Sequence, residues 1–228
     1  MDFTLSSTPK NPTIILGFPG IGLVGPIVTE FLVEHMKTTQ LGTFVYDNLP
    51  ATAAIHKGKL VHPMSIHYSK GHNIIVLYTI LNMHDHEWDV SNAVNKLAEE
   101  VQAKELIVID GANTIGADAK QLFCFGDEKL QALGATPLKE SVITGVTGSL
   151  LLTAENVNCI FAGVEQNTPN AHAAARVVEF LDTYLGLRVD TKPLKKQAVE
   201  FEQKLSSVMQ QGKQALDEKE KRRMDYLG

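Results

Sequence analysis

"ILGFPGIGLVGPIV", residues 15–28, contains a literal G-x-G-x-x-G in Gly20, Gly22 and Gly25, set between a strand-like run and a helix-like one. Thr13 to Leu16 reads as a buried strand. From Gly25-Pro26 onward Ile27, Val28, Phe31, Leu32 and His35/Met36 recur at helical spacing, with Glu30, Glu34 and Lys37 on the outer side. Pro26 suits the first helical position, where its missing N–H would have no partner in any case. Strand, glycine loop and helix in that order open an α/β domain, and they pose the question of what the glycines serve.

A dinucleotide loop requires its first glycine at the end of the strand and an acid about 20 residues further on for the ribose. Asp47 stands at about that distance, but Gly17-Phe18-Pro19 intervenes before Gly20, and Pro26 puts a ring into the turn that would approach the phosphate. Beyond Asp47 the chain breaks into short β-rich runs: Thr43 to Tyr46, Ala53 to His56, Leu60 to His62, Ser65 to Tyr68 and Asn73 to Thr79. Such close spacing predicts hairpins where a dinucleotide fold needs a crossover helix. The lysine and hydroxyl of a P-loop are missing after Gly25. No cofactor is therefore expected. Gly20, Gly22 and Gly25 stay as candidates for a bound anion, because backbone N–H groups at a helix start attract negative charge without any side chain. Otherwise they allow a tight loop and close helix–sheet packing.

The remaining chain alternates helix and strand. Val90 to Gln102 has a helical period that Asp89 or Ser91 could cap, and Glu105 to Asp110 reads as a buried strand ending at Gly111. Lys129 to Leu133 is a short helix closed by Gly134. "NCIFAGVE" is a further buried strand, and Pro169-Asn170 precedes a helix through Ala171, Ala174, Val178, Leu181 and Leu185, closed by Gly186. The predicted architecture is a three-layer α/β/α domain with a mixed sheet over residues 1–190. After it Leu194, Ala198, Phe201, Leu205, Val208, Gly212 and Ala215 step by four and three. That heptad spacing predicts a helix over 191–216 that packs on another helix, with Leu194, Phe201, Leu205 and Val208 as oligomer or partner contacts. A helix folded back on its own domain has the same spacing. Residues 217–228 have no apolar face and read as a flexible charged tail.

The bulk numbers narrow the class. In 228 residues 44% are hydrophobic and 21% charged, as in an ordinary globular protein. Runs such as Ile74 to Leu77 fall far short of the ~20 residues a membrane span needs. "MDFTLSSTPKNPT" has neither the basic nor the apolar region of a cleaved secretion signal, so a cytoplasmic location is expected. The net charge of -5 is uneven: residues 191–228 hold nine Lys/Arg against six Asp/Glu, and the rest holds twelve against twenty. So acidic a body repels phosphate backbones and speaks against nucleic acid. Cys124 and Cys159 lie among apolar residues at no metal-like spacing and read as buried thiols.

Sets of reactive residues are sparse. His84, Asp85, His86 and Glu87 cluster in "NMHDHEWD", and on an extended chain the two histidines would share a face, yet no third ligand is identifiable. No metal is expected. Ser149 lacks the G-x-S-x-G frame of a hydrolase, so a site built from Ser149, His172 and Asp110 is possible only on paper. No catalytic residues are expected. A small-molecule pocket is defensible in one place, where Asp110-Gly111 and Glu165-Gln166-Asn167 follow buried strands and could meet Phe18, Pro19 and Gly20.

"IILGFPGIGLVGPIV", "NLPATAAIHKGKLVHPMSIHY", "HNIIVLYT", "ELIVIDG", "GVTGSLL" and "NAHAAARVVEFLDTYLGLRVD" follow one another in the order found in the PAC2 family, the proteasome assembly chaperone 2 superfamily. Over about residues 10–215 the chain resembles the archaeal members. The resemblance implies a fold related to nucleoside-phosphorylase-like proteins without that enzyme's chemistry, homo-oligomers, and a chaperone or adaptor role toward proteasome α subunits or the 20S particle. The alternative is a nucleoside- or phosphate-type enzyme or binding protein using the strand-end pocket. Members that engage the proteasome often end in hydrophobic–Tyr–any residue. This chain ends Asp225-Tyr226-Leu227-Gly228, which offers Tyr226, Leu227 and Gly228 as tail contacts but has Asp225 at the hydrophobic place and the tyrosine one residue early.

Overall fold

Side chains of the central strands point alternately to the two faces of the sheet and so divide the core in two. In the computed structural model, which describes residues 1–46, 54–56, 59–114, 116–165 and 169–196, the first strands are β1 (Asp2–Leu5) and β2 (Thr13–Leu16). Helix α1 (Val24–His35) leads to β3 (Thr39–Val45) and to the hairpin β4 (Ala54–His56) and β5 (Lys59–Val61). Then come β6 (Met64–Ser69), β7 (Ile74–Thr79), α2 (Glu87–Val101) and β8 (Glu105–Asn113). The last part holds β9 (Leu122–Phe125), α3 (Glu128–Ala132), β10 (Thr136–Pro137), α4 (Gly145–Thr153), β11 (Val157–Val164), α5 (Ala171–Leu185) and α6 (Lys192–Lys196).

Among the described residues nine strands form one sheet in the order β1-β3-β6-β7-β2-β8-β11-β9-β10. The central four, β7, β2, β8 and β11, run parallel, and β6 and β9 flank them antiparallel. All four residues of β2 are buried, as expected of a parallel strand covered on both faces. Ile15, Ile107, Ile109, Ile160 and Ala162 face a layer made by α1 and α5. Ile14, Leu16, Val108, Cys159 and Phe161 face α2 and α4. Every residue from Val24 to Leu32 of α1 is buried, so this helix is covered by α5 as well as by the sheet. Each large side chain so buried is worth about 1.5–3 kcal/mol of transfer free energy.

The α/β/α reading thus agrees with the structure, and several local expectations change. Helix α1 starts at Val24, so Pro26 is its third residue; the whole first turn lacks internal acceptors for its N–H groups, which leaves proline harmless there. Helix α2 starts two residues before Asp89, at Glu87, and Ser91 donates its hydroxyl to the Trp88 carbonyl at 3.1 Å instead of capping. Strands β1, β9 and β10 were not predicted. They are two to four residues long and lie at the margins of the sheet, too short for a period to register. The predicted close of the last domain helix holds, with Asn170 accepting from the Ala173 N–H at its start and Gly186 left-handed at its end.

Leu194 requires a correction. It is 0% exposed and belongs to its own chain's core, with α6 packed against α5, so it is not offered to a second subunit. Heptad spacing reports an apolar seam without saying whose surface covers it. Phe201, Leu205 and Val208, with the rest of the 191–216 helix beyond residue 196 and the 217–228 tail, lie outside the described residues.

Candidate functional site

Strands β2 and β8 are neighbours, but the chain leaving β2 goes to strands on one side of the pair and the chain leaving β8 to strands on the other. The loops part and leave a crevice beyond the strand ends, the general ligand position in open α/β sheets. A cleft of about 640 Å³ lies there. Its floor and one wall come from Phe18-Pro19-Gly20-Ile21 after β2 and from Asp110 to Asn113 at the end of β8. Asn82, Met83, His84 and Glu87 before and within α2 close it on another side, and Leu138 with Ser141 to Thr147 completes it.

The glycine loop is shaped by close approach. A Cβ on Gly25 would lie 2.7 Å from the Gly17 Cα and 2.9 Å from the Ile109 carbonyl oxygen, so the start of α1 rests directly on the backbone of β2's exit and of β8. Gly22 has φ +65 and sits against Val164, and its carbonyl accepts the Asn170 N–H at 2.9 Å, which ties the loop to the start of α5. Gly20 is extended, at φ -147, and a Cβ there would run into Oδ1 of Asp110. An anion at Gly20 would therefore meet a carboxylate.

Asp110 is the centre of the cleft's polar chemistry. Its Oδ1 accepts the Gly111 N–H and its Oδ2 the Thr147 hydroxyl, both at 2.8 Å. Burial pushes its carboxyl above the usual carboxylate range, with the two bonds pulling the other way. Thr147 lies in the first turn of α4, which has no acid of its own and no side-chain cap, and Asp110 supplies the negative charge that such a turn favours.

The sequence placed Phe18, Pro19, Gly20, Asp110 and Gly111 on one rim, and all five line the cleft; Glu165 does not, and Gln166 and Asn167 lie outside the described residues. Asp47 also falls outside them. The Asn82–Glu87 wall and the 138–147 segment were missed as pocket walls, since they meet Asp110 only through tertiary packing. His84 and His86 do not share a face. Asp85 turns left-handed between them, at φ +66, and His84 approaches Glu87 at 3.5 Å while His86 approaches Asp89 at 3.7 Å. Ser149 is buried and donates to the Val146 and Glu87 carbonyls, and His172 is on α5, across the sheet from α4. Ser149, His172 and Asp110 are thus not one site. Cys124 and Cys159 are free and buried; burial, then the charge of Asp110, pushes the Cys159 thiol up to about 12, leaving it without thiolate character.

Fold and cleft together define a three-layer α/β/α protein with a crevice beyond the ends of its central strands. Residues 14–209 match the model of the PAC2 family, and the chain belongs to that family. Among solved structures it is similar to Pyrococcus furiosus PbaA, an archaeal homolog of proteasome-assembly chaperone, at 26% identity and TM-score 0.84 over 94% of this chain and 98% of that one. A protein of unknown function from Thermoplasma acidophilum shares the fold at 20% identity and TM-score 0.83, covering 93% of this chain and 91% of its own. The uncharacterized protein MJ0106 of Methanocaldococcus jannaschii is 25% identical over 219 residues, 89% of this chain and 87% of that one. No helix among the described residues is long and apolar enough to cross a membrane.

Proposed function

We propose that the protein is a proteasome assembly chaperone or proteasome-binding adaptor that works as a homo-oligomer through its surface and its C-terminal tail. The observation that carries this reading is the agreement with PbaA over almost the whole of both chains, in sequence as well as fold. Its partners are proteasome α subunits or the 20S particle, and other copies of itself. Several tails presented by one oligomer would add weak contacts into avidity. The role is one of binding, with no catalytic step.

Light scattering on the purified protein should give a native mass several times the chain's 25.0 kDa. Purified α subunits from the same source should be retained by the immobilised full chain. A monomer that retains no α subunit would overturn the reading.

A further inference from the structure

The cleft's lining selects among ligand classes. Its ionisable groups are the carboxyls of Asp110 and Glu87 and the imidazole of His84, and neither lysine nor arginine occurs among its described lining residues. A phosphate or carboxylate would meet two acids there and no fixed cation. The first turn of α4 does open onto the cleft, but Asp110 already answers its partial positive charge through Thr147.

Asp110 has two hydrogen-bond donors, an amide and a hydroxyl, both neutral. Each carboxylate oxygen has capacity for a further donor. A desolvated carboxylate bonded only by neutral groups gains most from a cation, because charge-assisted bonds are shorter and about twice as strong as neutral ones. Gly20 gives an independent pointer. Its extended backbone suits any residue, so conformation does not call for glycine; what glycine provides is clearance, since a Cβ would fill the space beside Asp110 Oδ1. The lining mixes polar side chains, among them Asn82, Asn113 and Ser141, with an apolar set: Phe18 and Phe161 are buried, Leu138 and Ile143 line the cleft with them, and Val142 is 91% exposed. An exposed valine at the mouth of a cleft is surface that a ligand could cover.

We propose that this cleft binds a small organic cation, a primary amine or guanidinium with an apolar body, its head on the Asp110 carboxylate and its body along Phe18, Leu138 and Phe161. The site is on the α/β body and does not depend on the C-terminal tail or on any proteasome contact. Glu87 adds long-range attraction at the rim.

Calorimetric titration of the full chain with phenethylamine, benzylamine and agmatine tests it, with 2-phenylethanol, inorganic phosphate and Mg²⁺ run alongside. The expected result is saturable binding of at least one amine, at least about tenfold tighter than the alcohol. Asp110→Asn keeps an acceptor for the Gly111 N–H and can donate its amide to the Thr147 hydroxyl while removing the charge, and should weaken the amine by about tenfold or more. Glu87→Gln should weaken it less. Should Asp110→Asn fail to fold, the unaltered chain still decides: amine affinity should fall as acid protonates Asp110, while any weak affinity for 2-phenylethanol should not. Absence of amine binding, equal affinity for amine and alcohol, tighter binding of phosphate or Mg²⁺, or an amine affinity indifferent to both Asp110→Asn and pH would each overturn the proposal.

Discussion

The fate of a single methyl group distinguishes the glycines of this chain. At Gly25 an added Cβ meets the backbone of Gly17 and Ile109, which cannot rotate away, whereas at Gly71 nothing lies within 4 Å. Gly25→Ala should destabilise the fold by about 1–3 kcal/mol or more, as overpacking does. Gly71→Ala should stay within about 0.5 kcal/mol. Urea unfolding of both variants checks the contrast, and equal losses would refute the packing account. His67 provides a pH test. Burial lowers its pKa to about 4, and its Nε2 lies 2.9 Å from the Ser65 hydroxyl. As pH falls from the ordinary value of about 6.5 toward 4, the unfolded chain takes up a proton that the folded chain refuses, so stability should drop across that window. His67→Gln should flatten that part of the profile, read from urea midpoints at pH 7 and pH 5. The glycine pattern was legible in the sequence, but which methyl collides with what depends on strands β2 and β8 being adjacent.

Among the elements, one buried acid holds together pieces far apart in sequence. Glu105, at the start of β8, accepts from the Thr13 hydroxyl of β2 at 3.1 Å, from the Asn158 amide of β11 at 2.9 Å and from the Tyr184 hydroxyl of α5 at 2.9 Å. Asn158 in turn accepts the Asp127 N–H, at 2.7 Å, just before α3. Glu105→Ala leaves three donors without their acceptor and should cost about 2–4 kcal/mol in chemical unfolding. A loss below about 1 kcal/mol would show that water replaces the carboxylate freely. Helices α1, α2 and α5 were readable because their apolar period is long and α5 has an asparagine at its start and a glycine at its end. The short marginal strands were not, and reading Glu105 to Asp110 as a buried strand does not tell which donors the Glu105 carboxylate meets.

For the whole molecule the decisive question is how the α/β body and the C-terminal segment divide the work. The described core takes in Leu194, while Tyr226, Leu227 and Gly228 are the proposed docking end. Removing residues 224–228 should leave the melting midpoint of the protein unchanged and abolish its capture of 20S particles. Capture at full strength by the shortened chain would move docking onto the body, where Trp88 on α2 and Leu152 on α4 are 57% and 77% exposed.

The sequence alone determined the fold class, the order of the main elements and the family, because apolar periods, helix ends and an ordered set of local segments are properties of neighbours along the chain. It also placed the rim formed by Phe18-Pro19-Gly20 and Asp110-Gly111, since strand ends can be read locally. Only the tertiary structure decided that Leu194 faces its own core, that His84 and His86 part at Asp85, and that Asp110 accepts from Thr147 in a cleft with two acids and neither lysine nor arginine among its described lining residues. Each of these depends on which distant segments are brought into contact, and a pattern along one strand or helix does not carry that information.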